Sequence, residues 1–281
     1  MSTLSTLIDA ESKNAIATYV KALSKPNQIC FLRLYINPVF KTTPPKPFSG
    51  IVKTNMFELG APEPGVAIFP LLPRVNHDCV PNCHLHWNPR SQHMTLHILR
   101  DIQEDEEFTI SYLQMIGSYD SRQGKTRSLG FEYKCRLCTQ PEDTRIILDK
   151  MFKLFRCYWD WSEDSERVDQ YLGECLSDMR DSITILDATG INADFEKSRK
   201  YLKAFEISIG LGDEARASVF AEKALEGHII AMGHDTSEVE DLKTWVKDPK
   251  IHSRFNGGKA WKQRMEDISE GLDEAEFEAW L

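Results

Sequence analysis

The chain has 281 residues, of which 41% are hydrophobic and 27% are charged, and this composition excludes collagen-like, disordered and disulfide-scaffold proteins. Its net charge of -9 at pH 7 argues against direct nucleic-acid binding, because phosphate groups are contacted mainly by Lys and Arg. The sequence holds no apolar run of about eighteen residues, so no membrane association is expected, and its odd number of seven cysteines indicates a reducing compartment, the nucleus or the cytoplasm.

The first region, residues 1–65, is predicted to be mainly helical. Apolar side chains have helical spacing between Leu4 and Leu23, and Pro26 ends this pattern. The prolines of residues 42–47 each fix φ and remove a hydrogen-bond donor, so this stretch is predicted to be an extended loop. We expect the loop to separate the opening helix from the β-rich region beyond it.

Short alternating runs between residues 66 and 115 predict a β core. Two of these runs, residues 83–87 and 93–99, are separated by the turn formers of residues 88–92. They are therefore predicted to pair as a β-hairpin.

His84 and His86 alternate on one predicted strand and therefore project from the same face. One interpretation is a separate metal site, as in a zinc-dependent hydrolase, and the other is an ordinary polar pair on a half-exposed strand. No carboxylate stands beside them in a metalloenzyme motif, so we favour the polar pair.

Helical spacing dominates residues 141–260, which are predicted to form a stack of antiparallel helices. Ser237 and Glu240 have the spacing of a capping box. Residues 261–281 form an acidic tail, for which a solvated terminus is favoured over an interaction segment. The apolar positions of the predicted helices include Ile147, Met151, Leu154, Phe155, Tyr158, Val168, Leu172, Cys175, Leu176, Met179, Ile183, Leu186, Tyr201, Leu202, Phe205 and Ile209.

Three short motifs stand out. Residues 74–83 read Arg-Val-Asn-His-Asp-Cys-Val-Pro-Asn-Cys, residues 109–112 read Thr-Ile-Ser-Tyr, and residues 130–138 read Gly-Phe-Glu-Tyr-Lys-Cys-Arg-Leu-Cys. Taken singly, each is explained by a turn, a strand end or ordinary core residues. In this order they resemble the Asn-His-Ser-Cys-x-Pro-Asn, Ile-Ser-Tyr and post-SET motifs of the SET domain, in particular that of SMYD-like and fungal SET proteins.

The resemblance implies an α+β fold. Residues 66–115 would be the C-terminal half of the SET core, with a knot-like substructure in which the segments of Asn76 and Tyr112 pass through one another. Residues 116–140 would be the post-SET cysteine segment, followed by an all-α, TPR-like domain. Asp105 stands where a family turn usually has glycine, and aspartate tolerates the left-handed conformation required there.

The resemblance also implies methyl transfer from S-adenosylmethionine to a lysine of a protein substrate, with histones among the candidates. Asn76 would hydrogen-bond the amino-acid portion of the cofactor, His77 would meet the adenine through its backbone, and Phe131 would cover the adenine ring. Tyr112 would lie beside the reacting methyl group and orient the lysine nitrogen as the catalytic residue. Such an in-line displacement depends mostly on alignment and on exclusion of water.

Cys79, Cys135 and Cys138 match three of the four zinc-binding cysteines that the family resemblance implies. Tyr133 stands at the fourth position. Water or a nearby side chain such as Cys83 or His84 would complete the site, or the site is weak or empty.

Residues 1–50 contain neither the glycine-rich turn that wraps the cofactor in SET enzymes nor a MYND zinc finger. We therefore expect the chain to begin inside the fold, as a truncated product does, and to have impaired cofactor binding. The alternative function is a catalytically inactive SET-derived scaffold that binds partners through its helical domain.

Overall fold

The computed structural model describes residues 10–41, 47–59, 65–113, 117–150, 176–177, 179–181, 183–184, 194–255, 263–269 and 276. The chain forms two compact units: unit one is Met1–His77 with Asp120–Tyr133, and unit two is Asp78–Tyr119 with Lys134–Leu281. Most of the predicted proline-rich loop, the helical positions between 151 and 175, and most of the acidic tail lie outside the described residues.

The described N-terminal segment of unit one forms helices α1 (Ala10–Ala22), α2 (Lys25–Leu32) and α3 (Pro47–Asn55). Helix α1 confirms the predicted opening helix. Pro26 lies in the first turn of α2, where its missing N–H has no intrahelical partner to lose, so the proline that ends one helical pattern also begins the next helix. The buried core of these helices consists of Val20, Phe31 and Ile51.

Unit one also contains short strands and most of helix α4. Strands β1 and β2 pair in antiparallel fashion, and β3 holds the Asn-His pair. Helix α4 begins at the last residue of a unit-two segment and continues through unit one. The bounds are β1 Phe57–Glu58, β2 Val66–Ala67, β3 Asn76–His77, α4 Tyr119–Ser128, and two 3-10 turns at Pro38–Phe40 and Leu72–Arg74.

Unit two contains the predicted hairpin, formed by β4 (Cys83–Asn88) and β5 (His93–Ile98). Their antiparallel register pairs Cys83 with Ile98 and Asn88 with His93, which confirms the predicted pairing and turn. Strand β6 (Thr109–Ile110) comes next. Asp105, in the turn before β6, has φ 63°, so its left-handed conformation is the one expected from the sequence.

The C-terminal part of unit two is largely helical, as predicted. Among the described residues, 142–150 are helical, and longer helices follow as α5 (Asp194–Gly210), α6 (Glu214–Met232) and α7 (Ser237–Lys247). Helix α6 packs against both α5 and α7. Their core includes Leu176, Met179, Ala204, Phe205, Ile207, Ile209, Leu211, Ala217, Phe220, Ala221, Ala224 and Leu242.

The predicted cap of α7 is wrong by one residue. Thr236 has the extended backbone of an N-cap, with φ -97° and ψ 153°, and its side chain accepts a hydrogen bond from the Val239 N–H. Ser237 is already helical, and its hydroxyl bonds to the Glu238 carboxylate instead. Threonine and serine are both favoured N-cap residues, and here the cap is the threonine although serine is the more favoured type.

The hairpin of unit two packs on its helices. Arg90 in the hairpin turn makes two parallel bonds to the Glu240 carboxylate of α7, at 2.7 and 2.6 Å. The Asn88 side chain donates to Asp235 at 3.2 Å. None of the described helices is long and apolar enough to cross a membrane.

Candidate functional site

Three rings of unit one form an aromatic cluster that consists of His77, Phe131 and Tyr133. The His77 ring centroid lies 6.2 Å from that of Phe131 and 5.0 Å from that of Tyr133, and His77 is only 3% exposed. Phe131 and Tyr133 meet edge to face at 6.4 Å. Asn76, the neighbour of His77 in β3, is exposed. The imidazole is therefore part of the packing, while Asn76 remains accessible.

The end of α4 positions the aromatic cluster. Gly130 has φ 82°, and a Cβ atom there would lie 2.8 Å from the Val39 methyl group, so this turn requires glycine. The Phe131 N–H donates to the Thr126 carbonyl at 3.1 Å. Gln123 of α4 donates from Nε2 to the Tyr133 carbonyl at 2.8 Å. The backbones of Phe131 and Tyr133 are thus both hydrogen-bonded to helix α4.

Unit two holds a thiol cluster of Cys79, Cys135 and Cys138. The three Sγ atoms lie within 4.8 Å of one another, and Cys79 Sγ is 3.7 Å from Cys138 Sγ. All three side chains are buried. Hydrogen bonds with Cys135 and Cys138, together with burial, raise the pKa of Cys79. The hydrogen bond between Cys135 and Cys138 is the main cause that raises the pKa of Cys135.

The donor set fits a zinc ion. Four thiolates at about 2.3 Å from zinc in a tetrahedron lie about 3.8 Å apart, close to the separation of Cys79 from Cys138. Within the described part of the chain, the donors that lie within 4.8 Å of one another are these three cysteines alone. Cys83 and His84 are not part of this group, which leaves a water ligand or a weak or empty site among the alternatives given by the sequence.

Tyr112, the predicted catalytic residue, lies just after β6 in unit two. Its side chain is 41% exposed, so part of the ring is accessible. Burial of the remainder and the negative charge of Glu107 raise the pKa of Tyr112, which keeps the phenol protonated at neutral pH. The adjoining turn is closed by Ser111, whose hydroxyl accepts from the Leu113 N–H and donates to the Leu113 carbonyl.

His84 and His86 are not an exposed polar pair. His84 packs against the Phe195 ring of α5 with centroids 4.4 Å apart, and burial lowers the pKa of His84 to about 3. His86 is 9% exposed. The hairpin face that carries them is covered by helices of unit two, a long-range contact that strand alternation cannot reveal. Neither histidine joins a metal-binding group among the described residues.

The role of Asn82 is not predicted from the sequence, where this residue reads as a turn former. Asn82 is 2% exposed and hydrogen-bonds to Glu106, Glu107 and Thr109 through its side-chain amide. The sequence gives one indication of a role, because Asn82 belongs to the first motif. Its hydrogen-bond partners, however, lie more than twenty residues away in the chain.

Comparison with known proteins identifies the family of the N-terminal part. The SET domain family matches residues 8–113. This stretch is a SET domain. The match therefore includes helices α1 to α3 as well as the Asn-His and Ile-Ser-Tyr motifs, and it begins well ahead of residue 66, where the sequence places the start of the SET core.

The chain is homologous to set5 and SMYD proteins. It is 27% identical over 235 residues to the histone-lysine N-methyltransferase set5 of Schizosaccharomyces pombe, covering 83% of this chain and 72% of that protein. It is 30% identical over 115 residues to human SMYD3, covering 36% of this chain and 26% of SMYD3. Against mouse Smyd1 it is 30% identical over 245 residues, which covers 76% of this chain and 48% of Smyd1.

Proposed function

We propose that the chain is a protein-lysine N-methyltransferase that uses S-adenosylmethionine. The observation that carries this proposal is the SET domain match over residues 8–113, within which Asn76, His77 and Tyr112 are all retained. The relatives set5 and SMYD3 are named histone-lysine N-methyltransferases. A histone or another lysine-containing protein is therefore the proposed substrate class, and the nucleus or cytoplasm is the proposed location.

The residues of unit one fit a cofactor-binding role. Asn76 is exposed in β3, where its amide is able to hydrogen-bond the amino-acid portion of S-adenosylmethionine. Because the His77 imidazole is buried, His77 contributes through its backbone. The Phe131 ring is held by α4 and would cover the adenine, since stacking on a flat base contributes about 1 to 3 kcal/mol.

Tyr112 is proposed to orient the substrate amine. S-adenosylmethionine supplies an electrophilic methyl group, and the acceptor must be a neutral lysine amine with its lone pair in line with that group. The raised pKa of Tyr112 keeps its hydroxyl protonated, and its oxygen would accept a hydrogen bond from the amine N–H with the hydroxyl hydrogen directed away from the amine lone pair. This arrangement aligns the nucleophile while leaving it free to react.

Finer features of the fold are part of the same proposal. The knot-like passage of the Asn76 and Tyr112 segments and the TPR-like stacking of the C-terminal helices are inferred from the family resemblance. Zinc is proposed at the thiol cluster, where Cys79, Cys135 and Cys138 would hold it and where the ion would tie the Asn-His motif segment to the post-SET segment.

Calorimetric titration of the purified chain with S-adenosylmethionine tests the proposal, with Asn76→Ala as the pocket variant. Binding by the wild type and its loss in Asn76→Ala would support the cofactor site. Transfer of labelled methyl groups to histones or other basic proteins would then establish the activity. A well-folded chain that binds no cofactor would overturn the proposal and favour a catalytically inactive scaffold.

A further inference from the structure

Asn82 lies at the junction of three segments of unit two. It ends the Asn-His motif, directly precedes β4 and is 2% exposed. Its backbone carbonyl accepts from the Leu99 N–H at the end of the hairpin at 2.8 Å. Its side chain bonds instead to the turn and strand that lead to Tyr112.

Every polar atom of the Asn82 side chain is used. Oδ1 accepts from the Thr109 N–H at 2.8 Å and from the Thr109 hydroxyl at 3.2 Å. Nδ2 donates to the Glu107 carbonyl at 2.9 Å and to the Glu106 carboxylate at 3.2 Å. The Asn82 N–H in turn donates to the Thr109 hydroxyl at 3.2 Å. A side chain with one acceptor and two donors is required, so neither aspartate nor serine reproduces this set.

The surrounding charges hold the carboxylate partner in place. The Arg100 guanidinium forms a bidentate pair with Glu106, and the Gln103 N–H donates to the same carboxylate at 3.0 Å. The hydrogen bond from Arg100 is the main cause that lowers the pKa of Glu106 to about 2. Glu106 therefore remains an ionised acceptor for Asn82 at any pH used for assays.

A second bond fixes the other end of the motif loop. The Asp78 N–H donates to the Ile110 carbonyl at 3.0 Å, one residue after Thr109. The Asp78 carboxylate accepts from the Val80 N–H at 2.8 Å, which shapes the loop between the two anchors. The stretch from Glu106 to Ile110 is thus bound to both ends of the motif loop.

We propose that Asn82 is a positioning residue that sets the location of Tyr112, an inference that rests on the function proposed above. Tyr112 is the third residue after Thr109, at most about 10 Å away along the chain, so Asn82 acts through the backbone and does not touch the substrate amine. A displacement of about 1 Å at a reacting group lowers the rate about 100-fold. A shift of the Thr109 backbone would therefore move the Tyr112 phenol and lower the rate.

Asn88 provides a matched control at the other end of β4. It is also an asparagine, is 4% exposed, and uses both polar atoms of its side chain. Its Oδ1 accepts from the Arg90 and Ser91 N–H groups, and its Nδ2 donates to Asp235. None of these partners belongs to the stretch that leads to Tyr112. The two residues differ in what they position and resemble each other in burial and bonding.

The experiment compares Asn82→Ala with Asn88→Ala. We expect both variants to lower the Tm by several degrees, because each loses buried hydrogen bonds. Asn82→Ala should lower kcat about 10- to 100-fold with the Kd for S-adenosylmethionine changed less than about threefold, whereas Asn88→Ala should retain kcat within about threefold. Should Asn82→Ala not fold, Thr109→Val removes the hydroxyl that joins Asn82 to β6 and is expected to give a smaller loss of kcat.

A spectroscopic measurement tests the inference independently of activity. In protein carrying carbon-labelled tyrosine, the Tyr112 resonance is identified by its loss in Tyr112→Phe, and it should shift in Asn82→Ala or Thr109→Val but not in Asn88→Ala. An unchanged Tyr112 resonance, or equal losses of kcat in the two asparagine variants, overturns the proposal. If the wild type transfers no methyl group but the Tyr112 resonance still shifts in Asn82→Ala, only the proposed function is refuted and the positioning role is supported.

Discussion

The sulfur of Cys79 lies 3.7 Å from the sulfur of Cys138, although 58 residues stand between them in the chain. Hydrogen bonds with Cys135 and Cys138 raise the pKa of Cys79, and a bound cation would reverse this effect by stabilising the thiolate. Cys79 lies just after the Asn-His pair, and Cys138 ends the cysteine-containing motif of residues 130–138. A metal at the cluster would therefore stabilise the position of the motif segment.

The first prediction is that the purified protein contains about one zinc ion per chain, which Cys79→Ser removes. Elemental analysis measures the zinc content, and a thermal melt with and without a chelator measures its contribution to stability. Cys83→Ser is the matched control, since Cys83 is equally buried but stands apart from the thiol cluster. Equal zinc content in wild type and Cys79→Ser would contradict the assignment.

The thiol cluster shows how far sequence reasoning reaches. The spacing of Cys135 and Cys138 is enough to predict that both bind the same metal ion. The resemblance to the family motif adds Cys79 as a third ligand. Cys83 and His84 are candidates for a fourth ligand by their nearness to Cys79 in sequence, but both belong to β4 and neither is part of the thiol cluster, so a water ligand or a weak or empty site is left open. Motif residues are predictable, whereas the side chains that surround them depend on tertiary packing.

The second prediction concerns Tyr112→Phe. We expect kcat for methyl transfer to fall about 100-fold or more, because the amine loses the acceptor that orients it, while the Kd for S-adenosylmethionine changes less than about threefold. Tyr19→Phe is the control, since Tyr19 is 74% exposed on α1. Single-turnover kinetics with a histone substrate separates the chemical step from binding. A kcat within about twofold of wild type would remove Tyr112 from the mechanism.

The third prediction concerns the aromatic cluster. Phe131→Ala should weaken S-adenosylmethionine binding by about 1 to 3 kcal/mol, the value of one stacking contact with a flat base. Tyr133→Phe serves as control, because it keeps the ring that packs at 5.0 Å from His77 and removes only the hydroxyl. Calorimetry measures both. If the two variants bind the cofactor equally well, the ring of Phe131 does not contact it.

The fourth prediction compares two glycines of the same unit. Gly130→Ala should destabilise the protein by about 1 to 3 kcal/mol, because φ is 82° there and the new Cβ would approach Val39 to 2.8 Å. Gly124→Ala should instead stabilise it by about 0.5 to 1 kcal/mol, since Gly124 lies within α4 with no atom within 4 Å of a new Cβ. Urea unfolding measures both changes, and the same sign for the two variants would contradict the prediction.

Gly130 and Asn82 mark the limit of prediction from sequence. Both stand in motifs that the sequence identifies, and the hairpin between residues 83 and 98 is predictable from alternation and turn chemistry. The requirement for glycine at residue 130 arises from Val39 and Asn37, and the bonds of Asn82 arise from residues 106 to 109. Such contacts join segments far apart in the chain, so local patterns contain no information about them.

The last prediction concerns His84, which lies on the covered face of the hairpin in β4. Burial, together with the nearby imidazoles of His86, His97 and His228 and with Arg199, lowers the pKa of His84 to about 3. The same residue titrates near 6.5 in the unfolded chain, so the unfolded state binds more protons between these two values. The stability from a neutral His84 is therefore fully present above pH 6.5 and is lost as the pH falls toward 3.

His84→Leu removes this titration while keeping an apolar contact with Phe195. The wild type should lose about 2 kcal/mol more than His84→Leu between about pH 7 and pH 5, because one proton is taken up on unfolding in this range. His93→Gln is the control, since His93 is exposed at the hairpin turn. Urea unfolding at the two pH values measures the difference. Parallel pH dependence in the wild type and His84→Leu would show that His84 is protonated in the folded protein, and with it that the hairpin face is open to water.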